Sequence, residues 1–166
     1  KPKRFDYEYK RNGTRNLFMF LQPLAGWRHV KVTDRRTKQD FSHCMRDLTD
    51  VFFPQAEVIR VVQDNLNTHT PASLYETFEP AEAKRVLDRL EFHYTPKHSS
   101  WLNMAEIELS VLSGQCLDRR IPDEHTLSHE IAAWQKLRNA QQATVDWHFT
   151  TEKARIKLKR LYPDVQ

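Results

Sequence analysis

The feature that most limits what this chain can fold into is a change of hydrophobic period near Thr37. Before it the pattern is that of strands. "FDYEYK" (5–10) alternates, "NLFMFL" (16–21) is a short apolar run, and "WRHVKVT" (27–33) alternates again. Asn12-Gly13 is a hairpin signal, and Pro23 and Gly26 in "QPLAG" mark a second turn. The three stretches predict an antiparallel meander. From Thr37 to Phe53 the apolar residues Phe41, Cys44, Met45, Leu48 and Phe52 fall at helical spacing, and Pro54 closes the segment. A short strand over 57–63 leads to Asp64. Residues 72–90 predict helix with a break near Pro80, and "LEFHYT" (90–95) predicts a strand closed by Pro96. A helix starts at Asn103. Asp123 caps another, with Leu127, Ile131 and Trp134 on one face, and Thr150 or Thr151 caps a last one. Because each later strand follows a helix, as crossover units require, the expected class is α/β with a mixed sheet flanked by helices. The chain reads as one domain over 1–166, with a helical extension over about 123–162.

Size and composition agree with a packed domain. The 166 residues are 39% hydrophobic and 29% charged, enough for a core and too apolar for disorder. No apolar run is long enough to cross a bilayer, no signal peptide opens the chain, and no membrane partner is expected. Cys44 and Cys116 both fall in predicted helices and read as packed, reduced thiols, in keeping with a reducing cytoplasm. The net charge of +4 is unevenly spread. Lys1, Lys3, Arg4, Lys10, Arg11 and Arg15 crowd one end, and Lys153, Arg155, Lys157, Lys159 and Arg160 the other. Such clusters suit a polyanion, most simply nucleic acid, and suit a solvated basic face about equally well.

Two places carry residues suited to chemistry. Asp64 ends a predicted central strand, at the carboxyl edge where open α/β sheets gather their sites. An Asx turn or a cap made by Asp64 or Asn65 is the structural alternative. In "WLNMAEIELSVLSGQC" (101–116), Ala105, Leu109, Leu112 and Cys116 form one apolar stripe, and Ile107 and Val111 another. Glu106, Ser110 and Ser113 share the polar strip between them. Asn103 and Glu106 also fit a reciprocal helix cap, the plainest explanation for Glu106. Glu108 reads as exposed. A strand-tip carboxylate and a helix-start carboxylate are what a Mg²⁺ or Mn²⁺ site needs, because hard cations take oxygen ligands. Two such ions clamp the attacking and leaving oxygens of a phosphodiester. In "TPKHSSW" (95–101), Lys97 and His98 are candidates to touch phosphate, or belong to an ordinary loop. His125 and His129 lack the glutamate of a zinc-protease helix, no cysteine pair has zinc spacing, and no glycine-rich phosphate loop exists.

"VVQDNLNTHT", followed by "LEFHYTPKHSSWLNMAEIELS", resembles the catalytic core of DDE transposases, in the bacterial insertion-sequence branch related to mariner elements. Asp64, Asn65 and His69 match that family's strand-end "DN…H" motif. Pro96, Ser100, Trp101, Leu102, Asn103 and Glu106 match its "P…S…WLN..E" motif. Glu106 follows Asp64 by 42 positions, wider than is compact in mariner-like enzymes, and "PASLYETFEPAEAKRVL" accounts for the excess. "YEYKRNGTRNLF" and "GWRHVKVTDRRT" are similar to the family too, so the likeness runs over nearly the whole chain. It implies a ribonuclease-H-like fold, two divalent ions, and cleavage and strand transfer of DNA, with transposon ends and target as partners and a homodimer left open. It places Asp64 and Glu106 as catalytic metal ligands. Asn65, His69, Lys97, His98 and Asn103 become candidates for positioning phosphate or DNA, in a bacterial cytoplasm at the nucleoid. The family's first acid lies on a first strand preceding "YEYKRNGT". That strand is expected to be missing here, since Asp6 and Glu8 fall in the segment after it, and activity is expected to be impaired. A remnant DNA-binding module without catalysis, and a ribonuclease-H-type nuclease without joining activity, are the rival readings.

Overall fold

The computed structural model describes residues 13–96, 103–146, 148–157 and 159. The predicted strand over 5–10, Asn12, most of the N-terminal basic cluster, Lys97, His98, the Ser100–Leu102 part of the second motif and Arg160 lie outside the described residues. Strand β1 (Asn16–Gln22) pairs antiparallel with β2 (Trp27–Thr33), Asn16 opposite Thr33 and Gln22 opposite Trp27, around the "PLAG" turn. Thr37 then starts helix α1 (Lys38–Asp47) with a capping box. Its hydroxyl accepts from the Asp40 amide, and the Asp40 carboxylate accepts from the Thr37 amide at 2.8 Å. A π-helical turn (Leu48–Phe52) extends α1 towards Pro54. Strand β3 (Ile59–Gln63) runs parallel to β4 (Leu90–Tyr94), joined by helices α2 (Pro71–Thr77) and α3 (Pro80–Leu87), each with proline in its first turn. Helix α4 (Met104–Leu112) continues into a second π-helical turn (Ser113–Leu117). Helix α5 (Glu124–Ala140) and helix α6 (Thr151–Lys157) follow.

The expected α/β class stands, with both antiparallel and parallel pairing. Among the described residues the pairings are divided between two two-stranded sheets, β1–β2 and β3–β4. Side-chain alternation on β1 sorts its residues to two cores. Phe18 and Phe20 pack on a cluster of Phe41, Cys44, Met45, Leu48, Leu74, Ala83 and Val86, to which Ile59, Val61, Leu90 and Phe92 also contribute. Leu17 and Met19 pack on Val30, Leu112, Cys116, Ile131 and Trp134. Helices α1–α3 thus cover one face of both sheets, and α4 and α5 cover the other face of β1–β2. Across β3–β4 that second face bears Arg60, Val62, Glu91 and His93, all exposed. A strand as apolar on both faces as β1 belongs in the middle of a covered sheet. Yet no residue of β1 is fully buried, and its only ladder among the described residues is with β2.

Cys44 and Cys116 are free thiols in the two different cores. Burial pushes the Cys44 thiol up to about 12, which keeps it protonated and unreactive. Arg15, counted with the basic N-terminus, is instead paired to Asp34 at 3.2 Å and Glu124 at 2.7 Å. No helix among the described residues is long and apolar enough to cross a membrane.

Candidate active site

The segment after β3 is tied down residue by residue. The Thr95 amide donates to the Gln63 carbonyl at 2.9 Å, extending the β3–β4 ladder one step, and Asn65 Nδ2 donates to the Thr95 carbonyl at 2.6 Å. Asp64 therefore stands at the carboxyl tip of β3, with its side chain 38% exposed. Its Oδ1 accepts a long bond from the Leu66 amide at 3.3 Å, an Asx turn, and a short one from His69 Nδ1 at 2.7 Å. His69 is held from several sides. Its amide donates to the Leu66 carbonyl, and its own carbonyl accepts from Gln63 Nε2 and the Tyr94 hydroxyl, both at 3.0 Å. Its ring stacks on Phe41, with centroids 4.8 Å apart. Oδ2 of Asp64 has no hydrogen bond to any described residue.

Glu106 lies in the first turn of α4. Asn103 caps that helix through Oδ1, which accepts from the Ala105 amide at 3.1 Å. The reciprocal bond from Glu106 back to the Asn103 amide is not made, so capping does not account for this acid. Glu106, Ser110 and Ser113 are exposed together, as the helical strip predicts. The helix itself packs on β1 through Leu109, Val111 and Leu112, and Ile107 is exposed.

Glu108 corrects the sequence reading. Far from being exposed, it is 1% accessible and receives two guanidinium groups. Arg138 Nε donates to its Oε1 at 2.8 Å and Arg138 Nη2 to its Oε2 at 3.2 Å. Arg28 Nε stands 2.8 Å from Oε1 as an ion pair, but its N–H is not aimed for a hydrogen bond. Burial lowers the Arg28 pKa from its usual range, against the pull of Glu108 beside it. Spacing along α4 cannot show this, because both partners lie on other elements, β2 and α5.

The sequence candidates therefore separate. Asp64, Asn65 and His69 come together at the tip of β3, with Asn65 serving the β3–β4 junction through its amide. Asn103 is a helix cap. Glu106 stands on a second element, and Lys97 and His98 fall outside the described residues. Among the described residues, no three His, Cys, Asp or Glu side chains gather closely enough to hold a metal ion. Of the sequence candidates, Asp64 Oδ2 and the Glu106 carboxylate are the oxygens that make no hydrogen bond to a described residue. Sequence reasoning missed that Asp64 and His69 bond to each other. The sole hint was the polar string from Asp64 ending in His69.

A model of the DDE superfamily endonuclease family matches residues 1–128, which takes in all four strands and α4. The chain belongs to the DDE superfamily endonucleases. No curated protein and no solved structure is significantly similar to it. Membership of the DDE superfamily endonucleases supports a nuclease function of the transposase kind in general and implies a DNA substrate. The α/β architecture accords with a ribonuclease-H-like domain. In this family a divalent metal is the general requirement, and carboxylates at a strand tip and a helix start are the residue type that such an ion takes.

Proposed function

We propose that this chain is part of the catalytic domain of an insertion-sequence transposase, in which Asp64 and Glu106 hold Mg²⁺ or Mn²⁺ for DNA cleavage and strand transfer. The observation that carries the reading is Asp64 at the tip of β3 with Oδ2 outside every hydrogen bond to the described residues. Glu106 supports it, as an exposed first-turn acid that does not serve the helix cap. The bound ions would polarise the scissile phosphate and activate the attacking oxygen. Asp64 and Glu106 would orient them, and Asn65 would keep the strand tip in place through Thr95.

The reading extends to a third acid on a strand upstream of the family's "YEYKRNGT" segment. The divided sheet supports this. Strand β1 is apolar on both faces yet only half-buried, and among the described residues the ladders of β1 and of β3 each have one partner. Unpaired edges of that kind invite another strand.

The test is Mn²⁺-dependent nicking and joining of terminal-repeat DNA by the protein. Asp64→Asn and Glu106→Gln should each lower product by more than about 100-fold. Equal activity in either variant sinks the assignment, and product that is nicked but never joined favours a nuclease without transfer.

One observation favours a second reading, a DNA-binding module without catalysis. Helix α6 carries Lys153, Arg155 and Lys157, and all but one of its residues are exposed. On that reading DNA binding falls steeply with salt and survives Asp64→Ala and Glu106→Ala in the presence of Mg²⁺. A loss of affinity in either variant counts against it.

A further inference from the structure

We propose that His69 is a positioning residue for Asp64, fixing one carboxylate oxygen so that the other is presented to a divalent cation. The inference rests on the metal-ligand reading of Asp64 above. It gives His69 a different task from the one its motif implies, contact with phosphate or DNA.

Three observations carry it. The 2.7 Å contact joins His69 Nδ1 to Asp64 Oδ1. An ionised carboxylate only accepts, so Nδ1 bears the hydrogen. Second, the imidazole has little freedom to turn away. Its ring lies on Phe41 at an interplanar angle of 27°, the side chain is 18% exposed, and the backbone beneath it is held by Gln63, Tyr94 and Leu66. Phe41 belongs to the core under both sheets, so the ring is anchored on buried, packed residues. Third, both bonds to Asp64 fall on Oδ1, which leaves Oδ2 as the free donor. A carboxylate pinned through one oxygen meets a cation with the other in a single orientation. It then loses little rotamer freedom on binding, the usual service of an outer partner to a metal ligand.

The experiment measures Mn²⁺ binding to the chain by electron paramagnetic resonance, for the wild type, Asp64→Asn, His69→Phe and His69→Asn. Phenylalanine keeps the stack on Phe41 and removes the donor. Asparagine places its Nδ2 near the position of Nδ1 and removes the ring. Thermal melts establish that each variant is folded. The expected result is a 10–100-fold weaker Kd in His69→Phe and a Kd within about threefold of wild type in His69→Asn. Long-range ¹H–¹⁵N spectra of the unmodified chain should show hydrogen on Nδ1 of His69. Unchanged Kd in His69→Phe, or equal loss in both His69 variants, overturns the positioning role while leaving Asp64 as a ligand, provided Asp64→Asn binds weakly. Unchanged Kd in Asp64→Asn overturns the metal-ligand reading itself, and the inference with it. Hydrogen on Nε2 alone overturns the inference without reference to any metal.

Discussion

Glu108→Leu should lower the unfolding free energy by about 3–5 kcal/mol, enough to unfold a large share of the molecules of a marginal domain. Leucine is close to glutamate in size, so the cost is electrostatic rather than a cavity. The substitution leaves Arg28, which has 0% accessible surface, without its carboxylate. Arg138 is 17% exposed and can swing towards water, but Arg28 cannot. Its guanidinium is bound to the Gly26 and Ala143 carbonyls and to Asn139 Oδ1, all of which draw it further into the junction between β2 and α5. Urea denaturation measures the loss. Pairing Glu108→Leu with Arg28→Met should recover most of it, because a buried ion pair replaced as a unit is often neutral. A loss under 1 kcal/mol in the single variant would show that Arg28 finds water there. The effect should reach the site, because Glu108 lies two residues from Glu106 and its ion pairs tie α4 to β2 and α5. With that anchor gone, weaker Mn²⁺ binding should accompany the lower stability.

Gly26→Ala should be nearly as damaging, by about 3 kcal/mol or more, for a reason of backbone geometry. Gly26 has φ +63°, a conformation that costs an L side chain about 1–2 kcal/mol. A Cβ there would also lie 2.5 Å from the carbonyl carbon and oxygen of Gln142. Those are main-chain atoms in the turn after α5, so relief requires the hairpin and that turn to part. Parting them strains the bonds from Arg28 to Ala143 and between Asn139 and the Arg28 backbone. Gly114→Ala is the control. Beyond its own helix backbone and chain neighbours nothing lies within 4 Å of its Cβ position, and the site is helical, so stability should hold or rise by up to about 1 kcal/mol. Thermal melts of the two variants side by side test the contrast. Similar Tm values would mean that the Gly26 turn shifts freely.

Local chemistry makes much of the fold legible from short stretches of sequence. The period change near Thr37, the turn at "QPLAG", the break at Pro80 and the caps at Asn103 and Asp123 depend on neighbours within a turn or two. The strands 16–22 and 27–33 and the helices from Asn103 and Asp123 follow from them. The acids were legible in part for the same reason. Asp64 ends a β-branched run and Glu106 sits on a polar strip of a helix, and both are short-range patterns.

Short-range patterns sufficed for the order of the described elements from β1 to α6, for the two candidate carboxylates and, through paired motifs, for the family. Tertiary structure decided which polar groups are buried and what they bind. Glu108 looks like a surface acid when only α4 is considered, because the charges that balance it, Arg28 and Arg138, are 80 and 30 positions away. The division of the strands into two ladders, and the His69 ring stacked on Phe41 while bonded to Asp64, are likewise products of packing between distant segments. Burial and hydrogen bonding are properties of the three-dimensional neighbourhood. A one-dimensional pattern can place a side chain on a face, but only the packed chain shows what that face meets.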